Sequence, residues 1–263
     1  MNEIAVIIPM FNFGEMTKDC IKATIENAGM PVDIFVIDDC SLEPFEDDRV
    51  TVIRLDKNLG YTGATNAGIL KVWNDYKFIH FLNNDTIPRP DFIKILHNTL
   101  EKYPEIGIAC SAREVKMNGE IMLETYPVDI LTGWTVYQDT EFPVDCDYMH
   151  KPWIPICSAL ARTEVVQQVG LLDRRMKNHC SDNDFCVRIG EMGWKTALVL
   201  QSRVYHIHEV TTSSVRFSSA DDRGALMSKI RCDYRRNLLE NFPLDYNDKT
   251  RGELIFMYHG DKT

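Results

Sequence analysis

Short apolar runs alternate with amphipathic stretches along the first hundred residues. The run at 4–8 is apolar throughout and rich in β-branched residues, which is typical of a strand buried on both faces. The stretch at 16–28 places its small and apolar residues three and four positions apart, as on one face of a helix. Continued in this way, the pattern predicts strands at 4–8, 34–37, 50–55 and 78–82, and helices at 16–28, 61–73 and 90–103.

Strands and helices that alternate in this order predict an α/β fold with a mostly parallel, doubly wound sheet. In such sheets, ligands bind at the carboxyl ends of the strands. Polar side chains directly follow two of the predicted strands: Asp38 and Asp39 follow the second, and Asn83 and Asp85 follow the fourth. We therefore expect the functional site along this edge of the sheet.

The second half of the chain has a less regular pattern, and its strands are expected to form a smaller, mixed second sheet. Residues 127–155, which include Pro143 and Pro152, are predicted to be loops with short strands. No repeat or low-complexity linker divides the sequence, so we expect one continuous domain. The predicted strands are 106–112, 120–126, 154–162, 197–200 and 203–207, and the predicted helices are 163–169, 182–192 and 218–241.

Composition limits the class of protein. A chain of 263 residues with 44% hydrophobic and 26% charged residues fits one large folded α/β domain. The formal net charge of −10 argues against a general polyanion binder. No apolar run approaches the roughly 20 residues that cross a bilayer, and none resembles a secretory signal. The eight cysteines form no Cys-x-x-Cys pair, so we expect reduced thiols and a cytoplasmic protein.

The sequence Leu-Asn-Asn-Asp at 82–85 is the first candidate for chemistry. It places two oxygen-bearing side chains, Asn83 and Asp85, on either side of one residue at a strand end. This arrangement suits a hard divalent cation that keeps open positions for a diphosphate. A polar turn after a strand has the same composition, so the motif alone leaves both interpretations open.

Three further clusters are also ambiguous when taken singly. Asp182 and Asp184 begin a predicted helix, where carboxylates can serve chemistry or simply stabilise the helix N-terminus. His206 and His208 would point to one side of a strand, as metal ligands can, or be incidental. The glycine-containing stretch at 58–63 leads into a helix whose N-terminus would favour a phosphate, but it matches no nucleotide-binding fingerprint.

The order of these clusters resembles glycosyltransferase family 2, which has the GT-A fold, and in particular its rhamnosyltransferase-like branch. The resemblance implies a GT-A domain at 1–210, with a nucleotide-sugar-binding half at 1–105 and an acceptor-binding half at 106–210. A C-terminal helical extension would follow at 211–263. The matching blocks are VIIPMFN (6–12), VIDDCS (36–41), NLGYTGATNAGI (58–69), FLNNDT (81–86), ICSALARTEVVQQVGLLD (156–173), DNDFCVRIGEMGWK (182–195) and RVYHIHE (203–209).

The resemblance implies where the nucleotide of a sugar donor binds. Pro9, Asp39 and Asn58 match positions that line the pocket for the nucleotide base. Asn66 matches a residue near the ribose and the diphosphate. We expect a pyrimidine donor, UDP or dTDP, because the Asp39 carboxylate can accept a hydrogen bond from the ring N–H of uracil or thymine.

The resemblance also implies a metal site and a catalytic base. Asp85 matches the metal carboxylate of an Asp-x-Asp motif in which Asn83 replaces the first acid, and Asn83 and Asn84 are expected beside the donor. His206 matches a metal-binding histidine near the end of the domain. Asp182 matches the second residue of a Glu-Asp pair and is the expected base. The implied cofactor is a divalent metal, Mn²⁺ or Mg²⁺.

Two departures leave details open. Ser181 stands where the first acid of the Glu-Asp pair is expected, and His208 would replace His206 as ligand if the strand register differed by two. The expected chemistry is a direct displacement with inversion, in which Asp182 takes the proton of the acceptor hydroxyl. No second carboxylate is needed as a nucleophile.

The functional hypotheses differ in the acceptor that receives the sugar. A glycan is favoured, and hydroxymethylated bases of phage-type DNA are the alternative. The basic residues that could meet DNA phosphates are interspersed with acids, so they also fit a solvated helix face. They are Arg216, Arg223, Lys229, Arg231, Arg235 and Arg236. A non-catalytic nucleotide-sugar binder is a weaker third hypothesis, because Asp85, Asp182 and His206 are all present.

Overall fold

The structure is a computed structural model, and it describes residues 2–117, 120–125, 136–137, 146–151 and 153–207. The helices are α1 (Gly14–Asn27), α2 (Gly60–Val72), α3 (Phe92–Lys102), α4 (Thr163–Val169) and α5 (Ser181–Glu191). The strands are β1 (Ile4–Met10), β2 (Asp33–Asp38), β3 (Thr51–Arg54), β4 (Phe78–Leu82), β5 (Thr86–Pro88), β6 (Ile106–Met117), β7 (Glu120–Thr125), β8 (Val136–Tyr137), β9 (Met149–His150), β10 (Ser158–Arg162) and β11 (Lys195–His206).

The first four long strands form the predicted parallel sheet. β3, β2, β1 and β4 lie side by side in that order and run parallel, with helices crossing between them. Every residue of β1 is buried, and its side chains alternate between two apolar clusters, one on each face of the sheet. The β-branched run at the start of the chain is therefore a central strand covered on both sides.

The second half extends this sheet, so the expectation of a separate second sheet is wrong for the residues described. β10 pairs antiparallel with β4 on one side and with β6 on the other. β11 then pairs parallel with β6, and β5, β7, β8 and β9 complete an eleven-stranded sheet. The reversed strand β10, which has a partner along both edges, thus joins the strands of the second half to the parallel sheet.

The topology brings the carboxyl ends of β1, β2, β4 and β11 to one edge. β6 is antiparallel to β10, and β10 is antiparallel to β4, so β6 and its parallel neighbour β11 run in the direction of β4. Asp39, Asn83 and Asp85 leave the sheet at this edge, and His206 is the last residue of β11. The edge predicted to carry the functional site is therefore the one that collects these residues.

Several boundaries differ from the pattern-based expectations. The two strands predicted at 197–200 and 203–207 are one strand, β11, whose pairing register with β6 shifts between Val199 and Arg203. The three-residue strand β5 was not predicted. The helix expected at 218–241, the alternative ligand His208 and the extension at 211–263 lie outside the described residues. Within those residues, no helix is long and apolar enough to cross a membrane.

Candidate active site

A carboxylate and an imidazole meet at the end of β4. Asp85 lies between β4 and β5, and His206 pairs with Thr86 in the β5–β11 ladder. The peptide N–H of Ile207 also donates to the carbonyl of Asp85 at 2.9 Å. This pairing sets Asp85 Oδ1 3.0 Å from His206 Nε2, and both residues are 7% exposed. Sheet pairing thus brings the two expected metal ligands together.

Asn83 completes this cluster. Its Nδ2 lies 3.5 Å from His206 Nε2, and its Oδ1 is buried without a hydrogen-bond partner among the described residues. One imidazole nitrogen cannot both donate to Asp85 and accept from Asn83, so the two contacts compete for a single tautomer. A cation bound by the imidazole nitrogen, the carboxylate and an amide oxygen would satisfy these groups together. The three residues therefore fit a divalent metal.

The cluster does not form a complete metal cage. The described residues hold no group of three or more His, Cys, Asp or Glu side chains placed to bind a metal ion. Asp85 and His206 therefore supply two ligands of these types, and other positions would be filled by the Asn83 amide, water or the phosphates of a ligand. Such partial coordination is usual for Mg²⁺ at a diphosphate site.

The side chain of Asn84, which was expected beside the donor, contacts helix α1. Its Nδ2 donates to Thr17 Oγ1 of α1 at 3.0 Å, and the residue is 6% exposed. The thiol of Cys20, also on α1, lies 3.4 Å from the carbonyl oxygen of Asn83. Asn84 therefore anchors the metal-site loop to α1, and a contact with the donor stays a prediction.

Asp39 is a buried carboxylate that caps α2. Its Oδ1 accepts from the peptide N–H of Leu59 at 2.7 Å, and its Oδ2 accepts from that of Gly60 at 2.9 Å. Burial raises the pKa of Asp39 to about 6, although these two hydrogen bonds act in the opposite direction. Asn58 Nδ2 donates to the carbonyl of Asp39 at 3.2 Å, which holds the loop around it. Pro9 is buried in β1 nearby in the sheet and pairs in register with Ile37.

The N-terminus of α2 is not the phosphate site that its glycines suggested. The peptide N–H groups of Leu59 and Gly60 bind Asp39, and that of Tyr61 donates to Asn178 Oδ1 at 3.1 Å. The next N–H, that of Thr62, donates to the carbonyl of Lys177 at 2.9 Å. The groups that could have bound a phosphate are therefore already satisfied, and a negative carboxylate occupies the helix end.

Asn66 also has a protein partner. Its Oδ1 accepts from the peptide N–H of Leu172 at 2.9 Å, and its Nδ2 donates to the carbonyl of Leu172 at 2.8 Å. The side chain is buried, at 4% exposure. Asn66 thus joins α2 to the segment that precedes α5, and its expected contact with ribose or diphosphate stays a prediction.

Asp182 is the second residue of α5 and is only partly exposed. Burial raises its pKa, opposed by the N–H of Asn183, which donates to Oδ1 at 2.9 Å, and by the positive charge of Arg113. A carboxylate whose pKa is raised is a stronger proton acceptor than an exposed one once it is ionised. Asp182 therefore has the character expected of a general base.

Asp184, two residues further on, has a structural role. It is fully buried, and its Oδ2 accepts from Arg188 Nε at 2.9 Å, one helical turn away. Arg188 also donates to the carbonyls of Val169 and Leu171, at 2.7 and 3.0 Å. The two acidic residues at the start of α5 therefore have different roles. Asp184 stabilises the fold through Arg188, whereas Asp182 is partly exposed and available for chemistry.

Comparison with known proteins now gives the family. The sequence profile of glycosyl transferase family 2 matches residues 5–168, which is more than half of the chain. The chain belongs to glycosyl transferase family 2. Asp182 and His206 lie beyond the matched residues, so their roles rest on position in the structure and on the resemblance of their blocks.

Curated relatives agree with the family over shorter stretches. The chain is 29% identical over 99 residues to the succinoglycan biosynthesis protein ExoO of Rhizobium meliloti, covering 35% of this chain and 28% of that protein. It is 23% identical over 108 residues to the glycosyltransferase GlyG of Streptococcus pneumoniae, covering 38% and 35%. The matched stretch spans about a third of each relative's length.

Solved structures show the same α/β GT-A fold. GalNAc-T7, solved with UDP, GalNAc and Mn²⁺, superposes with a TM-score of 0.70 at 15% identity over 97% of this chain and 55% of its own. Residues 1–349 of TarS from S. aureus, solved with UDP-GlcNAc, superpose with a TM-score of 0.63 at 12% identity, over 98% and 71%. At these identities the likeness establishes the fold alone.

Within this family 2 fold, two residues that the sequence did not single out lie close to the site. Burial raises the pKa of the Tyr61 hydroxyl, and the negative charges of Asp182 and, more weakly, Asp85 raise it further. The expected base and the expected metal carboxylate are therefore both within electrostatic reach of one hydroxyl. Arg113 of β6 is 8% exposed and acts on the Asp182 carboxylate. Tyr61 lies within the glycine-containing stretch at 58–63, but that stretch drew attention to the helix N-terminus and not to this hydroxyl, and Arg113 lies in no candidate motif.

Proposed function

We propose that this chain is an inverting, metal-dependent glycosyltransferase that moves a sugar from a UDP or dTDP donor to a hydroxyl of a glycan. The observation that carries the proposal is the meeting of Asp85 and His206, which are 121 positions apart in sequence, at the ligand-binding edge of the sheet. Membership of glycosyl transferase family 2 supports the reaction class.

Asp85, His206 and the amide oxygen of Asn83 would hold Mn²⁺ or Mg²⁺. Such an ion, when bound, supplies Lewis-acid stabilisation of the charge that grows on the departing diphosphate. The protein's own contribution is to bury both ligands, since Asp85 and His206 are each 7% exposed. The occupied N–H groups at the start of α2 support this assignment, because they leave the diphosphate without the usual helix-end partner.

Asp182 would remove the proton from the acceptor hydroxyl as the new bond to the sugar forms. Burial raises the pKa of Asp182, so its ionised carboxylate is a better base than an exposed one. The ion pair with Arg188 occupies the Asp184 carboxylate, so Asp184 is not available as a second, nucleophilic carboxylate. This supports a single-displacement reaction. One attack from the opposite face of the sugar inverts the anomeric centre.

Asp39 would recognise the nucleotide base. Each of its oxygens accepts one peptide N–H and retains a lone pair, which can accept the ring N–H of uracil or thymine. The two similar structures were solved with UDP and with UDP-GlcNAc, which supports a uridine donor. The expected order of affinity is therefore UDP or dTDP before GDP.

A glycan acceptor is supported by one relative, which is named for succinoglycan biosynthesis. The DNA alternative depends on basic residues at 216–236, which lie outside the described residues. A transfer assay on hydroxymethylated duplex DNA separates the two, since sugar incorporation would favour DNA. The rhamnosyltransferase-like branch, the division at 105/106 and a cytoplasmic location stay predictions.

The proposal is tested by offering UDP-, dTDP- and GDP-sugars to the full chain with Mn²⁺, and measuring release of the nucleoside diphosphate. We expect release from a UDP- or dTDP-sugar, and its loss when EDTA replaces the metal. Release that persists in EDTA, or tighter binding of GDP than of UDP and dTDP, would contradict the metal or the donor assignment respectively.

A further inference from the structure

The segment that carries the chain into α5 is fastened to the first turn of α2. Thr62 Oγ1 donates to the carbonyl of Met176 at 2.5 Å, and the peptide N–H of Thr62 donates to the carbonyl of Lys177 at 2.9 Å. The N–H of Tyr61 donates to Asn178 Oδ1 at 3.1 Å. Asp182 follows Asn178 by only four residues, so these hydrogen bonds fix the chain just before the expected base.

A second attachment lies one turn further along α2. The Asn66 amide exchanges two hydrogen bonds with the backbone of Leu172, at 2.8 and 2.9 Å. Thr62 is fully buried and Asn66 is 4% exposed, so water does not compete for these groups. Both ends of the segment 172–178 are thus held by polar side chains directed at backbone atoms, which gives a definite distance and direction.

The same helix turn also holds the nucleotide side of the site. The N–H groups of Leu59 and Gly60 bind the two oxygens of Asp39, and the next two N–H groups bind the segment 172–178. Gly60 has φ +73°, and a Cβ there would lie 3.0 Å from Asn178 Oδ1 and 3.1 Å from the Lys177 carbonyl. The close approach of the two backbones therefore depends on the glycine.

We propose that Thr62, Asn66 and Asn178 are positioning residues that set the distance between the donor pocket and the base Asp182. The inference rests on the proposed role of Asp182. One helix turn contacts the expected nucleotide carboxylate on one side and the base-bearing segment on the other. A displacement of about 1 Å at a reacting group can cost as much as 10²-fold in rate, so a small loosening of this attachment has a measurable effect.

The first test is Thr62→Val, which removes the hydroxyl and keeps the shape of the side chain. We expect the turnover number for sugar release to fall about tenfold, with KM for the donor little changed, because the base moves and the donor pocket does not. Thr62→Ser, which keeps the hydroxyl, should restore most of the activity.

Thr65→Val is a matched control on the same helix. Thr65 is fully buried, but its hydroxyl donates to the Tyr61 carbonyl at 2.8 Å, within α2. We expect it to leave turnover near that of the unmodified chain. An equal loss of turnover in Thr65→Val and Thr62→Val would contradict the proposal, since it would reflect damage to the helix.

The decisive test combines Thr62→Val with Asp182→Asn. If Thr62 acts through the base, it should cost about tenfold in the unmodified chain and little when Asp182 is already replaced, because residues that act as a unit are not additive. The same fold-loss in both backgrounds would overturn the positioning role. Near-normal turnover of Asp182→Asn alone would instead overturn the base assignment, so the two failures are distinguishable.

Asn178 gives an independent route if Thr62→Val does not fold. Asn178 is partly exposed, so Asn178→Ala disturbs the core less than a change at Thr62. We expect it to reduce turnover severalfold, and we expect Asn178→Asp to restore it, because a carboxylate also accepts from the N–H of Tyr61. Equal turnover of Asn178→Ala and the unmodified chain would contradict the proposal.

Discussion

The ends of β2 and β4 carry similar polar residues but use them differently. Asp38 accepts from the peptide N–H groups of Ser41 and Phe45, at 2.9 and 3.3 Å, and forms an ion pair with Arg54. At the end of β4, Asp85 faces an imidazole, and the amide oxygen of Asn83 has no hydrogen-bond partner among the described residues. A carboxylate that is saturated by hydrogen bonds from the backbone stabilises a loop, whereas one beside an unsatisfied acceptor oxygen is suited to binding a cation.

The start of α5 repeats this contrast within three residues. Asp184 is fully buried and paired with Arg188, whereas Asp182 is partly exposed and accepts a hydrogen bond from the peptide N–H of Asn183 at 2.9 Å. Burial raises the pKa of Asp182, while at Asp38 hydrogen bonds from Ser41, Phe45 and Arg54 outweigh the effect of burial and lower the pKa. Residue type alone therefore does not separate structural from chemical carboxylates.

The largest expected effect separates the two acids of α5. Asp182→Asn is nearly isosteric but cannot accept a proton, so turnover should fall by at least about 10²-fold with the fold and donor affinity retained. Asp184→Asn should do the reverse, lowering stability by about 3 kcal/mol because Arg188 loses its buried partner. Turnover assays and urea unfolding on both variants check this. A loss of stability in Asp182→Asn without a loss of turnover would contradict the assignment of chemistry to Asp182 and of a structural role to Asp184.

The next prediction concerns the end of β2. Asp38→Asn leaves Arg54 without a carboxylate and turns an amide N–H₂ toward existing donors. We expect a loss of stability on the order of 2–3 kcal/mol, the scale of hydrogen bonds to a charged group, with turnover of the folded protein little changed. Urea unfolding measures the first and an activity assay the second. A large fall in turnover at unchanged stability would place Asp38 in the site.

A smaller effect is expected at Asp39, whose raised pKa gives a pH dependence with a definite sign. Uridine binding needs the ionised carboxylate, so it should weaken as pH falls through about 6, toward tenfold per pH unit below that value. Cytidine presents an acceptor at the same ring position, so a protonated Asp39 should bind it better as pH falls. Calorimetry of nucleoside binding between about pH 5 and 7.5 measures this pH dependence, and EDTA removes any contribution from metal binding. Parallel curves for the two nucleosides would exclude Asp39 from base recognition.

The elements whose signal lies in neighbouring residues could be predicted from the sequence. The buried run of β1, the helix α2 and the polar ends of β2 and β4 follow from periodicity and from residues adjacent in sequence. The single sheet could not be predicted, because it depends on β10 finding partners in both β4 and β6. The shift of register inside β11 likewise depends on its pairing with β6, and its sequence was read as two strands.

In the site, too, local motifs could be predicted from the residues alone, whereas contacts between residues distant in sequence could not. The resemblance to family 2 implied that Asp85 and His206 lie together, whereas the protein partners of Asn66 and Asn84 could not be predicted. Their amides bind a backbone carbonyl of Leu172 and a hydroxyl of Thr17, and such partners leave no pattern in composition or spacing. Similarly, the glycines at the start of α2 suggested a phosphate site, whereas Gly60 allows the backbone of Lys177 to approach.

The central claim is that Asp85 and His206 form a metal site that binds the donor's diphosphate. The most direct measurement is calorimetry of UDP binding to the full chain, to Asp85→Ala and to His206→Ala, each with Mn²⁺ and with EDTA. We predict tight binding only for the unmodified chain with Mn²⁺, and weak binding of similar strength in every other case. Equal affinity of the unmodified chain for UDP in Mn²⁺ and in EDTA would contradict the account.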